Sequence, residues 1–362
     1  MQVAVVGGGL AGLVAARELA AAGAAVTVLE ASTTLGGQIR TRRDGGFVID
    51  DGAEGFVSGD QDVPELCRAL GLGDQVPQIE RRSLLLRDGM LAELSAGEAA
   101  ALLGIQASSE DLGRGIVSLK HGMGALIDAL AAGIRKTAQV RTGSPVAALT
   151  RTGGKWRLEG AGTPPVEADA VIVACAPRAA ADFIASIAPE AAEALRSISL
   201  MSNVSVSLAY ERAAVSHPLD ASGIVVSPKE ASAEGLRACA FSSSKFANRA
   251  PAGSVLLRAF FRPDDSELAI GDRTWEERAT RVLGRVLGIR GAPARAWVAR
   301  WPHALPIYAR DHVSMIDDVA ISLRSVGPLE LAGAAYHPGG VPGAVRSGRF
   351  AARRLLESHA AA

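Results

Sequence analysis

The sequence predicts an α/β fold in which a parallel-sheet domain built on a βαβ unit is interleaved with a smaller α+β domain of mixed sheet and helices. Three observations predict it. Residues 2–6 (Gln-Val-Ala-Val-Val) read as a short buried strand, an Ala/Leu-rich helical stretch runs from Leu10 to Ala22, and Ala25–Leu29 reads as a second strand. Two more apolar strands, Ala170–Ala174 and Leu329–Ala334, stand far downstream. Between them Asn203–Tyr210, Gly223–Val226 and Ser254–Phe261 suit strands of a second sheet, and no repeat or low-complexity linker separates the two kinds of segment. The first domain is therefore Rossmann-like and discontinuous, over residues 1–80, 120–180 and 326–362, and the second takes 81–119 and 181–325.

The remaining elements follow in order. Gly23 stops the first helix. The stretch Gln75–Met90 holds the apolar run Leu84-Leu85-Leu86 among Arg81, Arg82 and Arg87. The Ala/Gly-rich segment Ala92–Gly115 reads as helical, and His121–Arg135 as a helix after a Gly-rich start. Gln139–Leu149 and Lys155–Glu159 read as strands around a Gly153-Gly154 turn. Pro177 closes the strand at 170–174, Trp275–Leu287 has the pattern of an amphipathic helix, and a last helix spans Ala344–Glu357.

Composition excludes several functions. Lys+Arg and Asp+Glu are both 38, so no basic excess exists to neutralise a nucleic-acid backbone. Aromatic content of 4% supplies few stacking platforms for single strands. Cys67, Cys175 and Cys239 are far apart with no Cys-x-x-Cys pair, and the histidines lack metal-ligand spacing, so no metal site is expected and the thiols read as reduced, in a cytoplasmic protein. Arg17 and Glu18 interrupt the apolar N-terminus, which has no basic leader, and no apolar stretch approaches about 18 residues, so neither a signal peptide nor membrane insertion is expected.

Gly7-x-Gly9-x-x-Gly12 follows the first strand and opens the first helix, and Glu30 stands 18 positions after Gly12. This context makes it a dinucleotide fingerprint. Gly9 lets the backbone approach a pyrophosphate, and the N–H groups of Leu10, Ala11 and Gly12 lie at the positive end of the helix. Glu30, with its neighbour Ala31, is placed to accept from a ribose 2′-OH, and its charge disfavours a 2′-phosphate.

The next segments decide between cofactors. Leu35-Gly36-Gly37-Gln38-Ile39-Arg40-Thr41 resembles the Gly-Gly-[Arg/Lys]-x-Arg-Thr segment of the flavin amine-oxidase superfamily. Asp51-Gly52-Ala53-Glu54-Gly55-Phe56 and the closing Leu331–His337 and Gly340–Val345 extend the resemblance. Within that superfamily the protoporphyrinogen-oxidase branch is the nearest match. It is carried by Ala299–Tyr308 (with Arg300-Trp301), by Phe241–Pro251, by His121–Leu126 and by Ala335-Tyr336-His337 with Gly340-Val341-Pro342. The resemblance implies noncovalent FAD, with Gly36, Gly37, Gln38 and Arg40 at the pyrophosphate and the backbone of Val146 at the adenine. It also implies Gly52, Ala53, Trp301, Gly333, Ala334, Gly340, Val341 and Pro342 around the flavin ring, and a small-molecule substrate. An Arg fork suits a phosphate, and a helix N-terminus stabilises negative charge on a reduced flavin.

Two departures stand out. Only Met90–Lys120 occupies the place of that branch's long substrate-covering, membrane-touching segment, and Arg258–Pro263 stands where a Gly-Gly pair is usual. Arg87 falls where some members place an arginine for a substrate carboxylate, and Tyr336 and His337 are expected to line the pocket. The expected activity is FAD-dependent oxidation, with hydride passing from a substrate carbon to flavin N5 on a carboxylate-bearing small molecule. No general base is legible, which suits loss of the proton to solvent or a pocket group. The alternatives are a flavin amine oxidase and a non-catalytic FAD-binding protein.

Overall fold

The computed structural model describes residues 1–73, 75–79, 82–103, 115–160 and 162–360. The chain opens with β1 (Gln2–Val6), α1 (Leu10–Ala21) and β2 (Ala25–Leu29), and α1 buries Leu10, Leu13, Val14 and Leu19 before the turn at Gly23. A hairpin of β3 (Thr41–Asp44) and β4 (Phe47–Asp50) leads to β5 (Phe56–Val57), α2 (Asp62–Ala69) and β6 (Gln75–Pro77). β7 (Ser83–Arg87) and β8 (Met90–Leu94) form a second hairpin, turned by Asp88 and Gly89, and α3 (Ala96–Leu103) follows. Next come β9 (Ile116–Leu119), α4 (Gly124–Ile134), β10 (Gln139–Arg141), β11 (Ala148–Thr152), β12 (Lys155–Gly160), β13 (Thr163–Ala168) and β14 (Ala170–Val173). The chain continues through α5 (Pro177–Ile184), α6 (Pro189–Ser197), β15 (Leu200–Glu211), β16 (Gly223–Val226), β17 (Leu236–Ala240), α7 (Ser242–Lys245) and β18 (Ser254–Phe261). It closes with α8 (Asp265–Leu268), α9 (Asp272–Leu287), β19 (Arg295–Pro306), α10 (His312–Val326), β20 (Leu329–Leu331) and α11 (Gly340–Ala360).

Two sheets organise these elements. A parallel sheet runs β10-β2-β1-β14-β20, and its central strands are continuously apolar because both faces are covered. α1, α4 and α11 close one face around Leu13, Val14, Leu130 and Val345, while α5, α6, α10 and the β11–β13 sheet close the other around Trp156, Phe183 and Leu323. The first and last helices pack so closely that a Cβ on Gly348 of α11 would lie 2.4 Å from the Ala11 carbonyl oxygen. The second sheet runs β19-β15-β18-β17-β16-β7-β8 and is antiparallel except where β16 pairs with β7. α9 covers one of its faces through Trp275, Val282 and Leu283. The expected α/β fold with a mixed second sheet is borne out.

The structure corrects several boundaries. Ala92–Leu94 is strand, not helix: its apolar side chains pair across the hairpin with β7 before α3 begins, and 104–114 lie outside the described residues, as does Arg81. The last helix starts at Gly340, four positions before the expected Ala344, so Pro342 sits in its first turn, where the missing N–H costs nothing. Residues 181–197 and 312–325, assigned by sequence to the second domain, pack on the core of the parallel sheet.

Candidate active site

The glycine loop after β1 is built by contact. Gly7 has φ 116°, donates its N–H to the Leu29 carbonyl at 2.8 Å, and would push a Cβ to 2.4 Å from the Ala174 carbonyl oxygen. A Cβ on Gly12 would come within 2.0 Å of the Gly7 oxygen, which fixes helix against strand. Gly9 differs, because a Cβ there would meet nothing nearer than Gly37 Cα at 3.9 Å. The protein leaves that space open, at the N-cap of a helix with no capping side chain and no acid in its first turn. An anion fits such a cradle. Glu30 stands beside it, accepting from the Gly8 N–H at 2.7 Å and the Ser32 N–H at 2.8 Å. The Ser144 N–H donates to the Glu30 carbonyl, which brings the loop carrying half-buried Val146 alongside Glu30 and Ala31.

The second segment meets the first directly. Gly36 donates to the Gly8 carbonyl at 2.8 Å and forms a parallel bridge with Gly9, so the turn at Gly36-Gly37 roofs the glycine loop. Beyond it, Gln38 receives the Ala53 N–H on its carbonyl and donates Nε2 to Ala304. Trp301 donates Nε1 to the Asp51 carbonyl at 2.9 Å, and Gly333 is tied to α11 by its N–H to Ser347 Oγ, 2.8 Å. The Tyr308 hydroxyl donates to the Ala334 carbonyl. Gly340 has φ 60° and open space around it, and the first turn of α11, with Val341 and Pro342, holds no acid. Open cradles at Gly9 and Gly340, two uncapped or acid-free helix N-termini and a ribose-type carboxylate fit an extended dinucleotide with a redox ring. Arg40 is already engaged: its Nε lies 2.7 Å from Asp51 Oδ2, its guanidinium stacks 5.0 Å from the Trp301 ring centroid, and Arg42 shares the same oxygen.

Beneath Asp51 and Gly52 lies a buried ionic network that the sequence reading missed. Arg258 is buried on β18 and donates to the Asp51 carbonyl and, at 2.9 Å, to the Gly52 carbonyl. Glu54 accepts from Ser242 Oγ at 2.7 Å and pairs with Lys245 Nζ at 2.9 Å. Burial alone would raise the Glu54 carboxyl, but the charges of Lys245 and Arg258 and the Ser242 bond hold it down at about 2. Asp50 is the counter-case: burial pushes it up to about 6 against the pull of Arg249, whose Nη2 lies 3.3 Å away. A signal was present in the sequence, since Arg258 interrupts the apolar run Val255–Phe261 and a lone charge in such a run must find partners.

The three expected substrate residues separate. Arg87 is exposed at the end of β7, on the face opposite α9. Tyr336 is buried in the core of the parallel sheet beneath Gly333, 1% exposed, its hydroxyl donating to the Cys175 carbonyl at 2.8 Å. His337 turns into a cleft between α10 and α11, against Phe350 and near Asp317, and burial lowers its imidazole pKa. Their place next to the Gly/Pro loop suggested the pocket, but the large apolar surface of Tyr336 is satisfied inside.

Residues 10–89 and 76–356 match the family model described as flavin containing amine oxidoreductase. The chain belongs to that family. The chain is 32% identical over 250 residues to a coproporphyrinogen III oxidase from Propionibacterium freudenreichii subsp. freudenreichii, covering 68% of this chain and 46% of that one. It is 27% identical over 327 residues to a coproporphyrinogen III oxidase from Bacillus subtilis (strain 168), covering 88% and 67%. The match thus spans less than half of the first relative's length. A solved structure from Exiguobacterium sp. 255-15, proposed as a protoporphyrinogen oxidase, superposes with a TM-score of 0.85 at 22% identity over 98% of this chain and 99% of that one. The expected superfamily and its FAD cofactor are borne out.

Glu30→Ala is expected to weaken FAD binding by about 1.5–3 kcal/mol, the worth of a charge-assisted bond, without unfolding the chain. Flavin fluorescence gives the dissociation constant, and an unchanged value would remove Glu30 from the ribose.

Proposed function

We propose that the chain is an FAD-dependent oxidase of a carboxylate-bearing porphyrinogen, with coproporphyrinogen III the first candidate. The observation that carries this reading is the 88% of the chain aligned with the Bacillus subtilis coproporphyrinogen III oxidase, supported by a site with open space at Gly9 and Gly340. FAD, when bound, supplies the two-electron acceptor for a hydride leaving a substrate carbon. The chain's own residues do the holding. The N–H groups at Gly9–Gly12 and the Gly36-Gly37-Gln38 turn, with Arg40, face the pyrophosphate, Glu30 with Ala31 the ribose and Val146 the adenine. Gly52, Ala53, Trp301, Gly333, Ala334 and the first turn of α11 surround the ring. Each two-electron oxidation would leave a proton for solvent, with no protein base assigned, and would need O2 or another acceptor to reoxidise FAD before the next. Arg87 anchors a carboxylate at the rim. The cytoplasm suits the free thiols of Cys67, Cys175 and Cys239. Among the described residues no helix is long and apolar enough to cross a membrane.

Anaerobic mixing of the FAD-loaded protein with coproporphyrinogen III should bleach the flavin, while amines and small cyclic carboxylates should not. Arg87→Ala should raise KM more than it lowers kcat, because the carboxylate contact is equal in ground and transition states. Bleaching by an amine alone would overturn the reading.

A further inference from the structure

The face of the seven-stranded sheet turned away from α9 carries an ordered row. Leu85 pairs with Val225, Val225 with Ala238, Ala238 with Phe260 and Phe260 with Ser205. Cross-strand partners share a face. Ser205 and Arg258 of this face donate to the Asp51 carbonyl, so the row looks toward the segment expected at the flavin ring. One step further toward the strand ends stand three arginines. Arg87 follows Leu86 at the end of β7. Arg237 is the extra residue of a bulge, because Leu236 pairs with Phe261 and Ala238 with Phe260. Arg262 directly follows Phe261.

The neighbours fix the side. Leu84, Leu86, Leu236 and Phe261 belong to the core against α9, whereas Leu85 packs with Val225 and Ala99 on the other face. Alternation sends Arg87 to that other face as well. The Arg87 charge acts there on Glu98 of α3, and the Arg237 charge is felt by Arg262, whose own pKa is lowered by burial first and by Arg237 second. Among the described residues the Arg237 and Arg262 side chains make no ion pair or hydrogen bond, while Asp51 alone takes two arginines and Glu234 two more. Two unpaired like charges beside each other repel, and a bound anion removes the repulsion.

We propose that Arg237 and Arg262 form a second carboxylate anchor opposite Arg87, so that the site selects a substrate carrying at least two carboxylates held apart. Arg87 and Arg237 are separated by two strand spacings, about 10 Å, so one carboxylate cannot serve both. The inference rests on the oxidation of a carboxylate-bearing macrocycle proposed above, and it adds the residues that count the carboxylates.

The probes are coproporphyrin III, the fully oxidised tetracarboxylate, and its uncharged tetramethyl ester. Binding to FAD-loaded protein is read by porphyrin fluorescence, with flavin content and Tm as checks on folding. Arg237→Gln with Arg262→Gln should weaken coproporphyrin III binding by about tenfold or more and flatten its salt dependence, leaving the ester unaffected. The double Lys variant should recover part of the affinity. If the Gln variant binds coproporphyrin III like wild type while wild type oxidises coproporphyrinogen III, the second anchor is wrong and the reaction stands. If wild type neither binds the tetracarboxylate nor oxidises its porphyrinogen, the proposed reaction fails and the anchor with it.

Discussion

Glu54→Gln is expected to cost about 3–5 kcal/mol of stability, because it removes the anion that the buried charges of Lys245 and Arg258 both act on. The substitution keeps the shape and the bond from Ser242, so the loss reports charge. The pH dependence gives a second reading. Glu54 is held at about 2, against 4.5 ordinarily, so its contribution is complete above about pH 4.5 and is lost as pH falls toward 2. That difference corresponds to about 3 kcal/mol. Asp50 runs the other way: held at about 6 against 3.8, it binds its proton more tightly in the folded state, and stability declines as pH rises from about 4 to 6. Urea unfolding of FAD-loaded wild type between pH 7 and 3 should show both limbs, and Glu54→Gln should abolish the acid-side loss. A variant with unchanged midpoints across that range would mean that solvent screens the pair.

Gly52→Ala is expected to cost about 1–3 kcal/mol and to strip the protein of flavin. The backbone at Gly52 has an ordinary φ, so the demand for glycine is spatial: a Cβ would lie 1.7 Å from the Gln38 carbonyl oxygen. Neither atom is the end of a flexible side chain. Relief requires separating the two backbones, which breaks the Ala53–Gln38 bond and shifts the carbonyl that Arg258 grips. Gly133→Ala is the control. It lies exposed in α4 with nothing within 4 Å of a Cβ, and the change should stabilise the helix by about 0.5–1 kcal/mol. Flavin content after gel filtration and Tm measure both. Retention of stoichiometric FAD by Gly52→Ala would show that the loop yields.

What the sequence made legible was local. The β1–α1–β2 unit combines an apolar strand, a glycine loop and a helical stretch within thirty residues, so its reading needs no distant partner. β15, β16 and β18 were legible as apolar runs for the same reason. β19 was not, because Arg295, Arg300, Pro302 and His303 break the pattern, and its pairing with β15 holds it in place. The ionic network was out of reach for a different cause: Glu54 and Lys245 are 191 positions apart, and only the tertiary fold brings the segment before β5 against α7. Tyr336 and His337 lie against Gly333 in space as they do in sequence, but which way each side chain turns depends on the sheet core and on α10, which are distant in sequence.

The packing of α1 against α11 has a consequence during synthesis. A nascent chain that has emerged only as far as β19 already carries the complete glycine loop, yet the face of α1 that α11 covers is bare, and β14 lacks β20 at its edge. Contacts of such long sequence separation are slow to form, and they leave apolar surface exposed to aggregation in the meantime. Residues 340–360 therefore complete the parallel-sheet core late, and the glycine loop gains the full support of α1 only once they have packed.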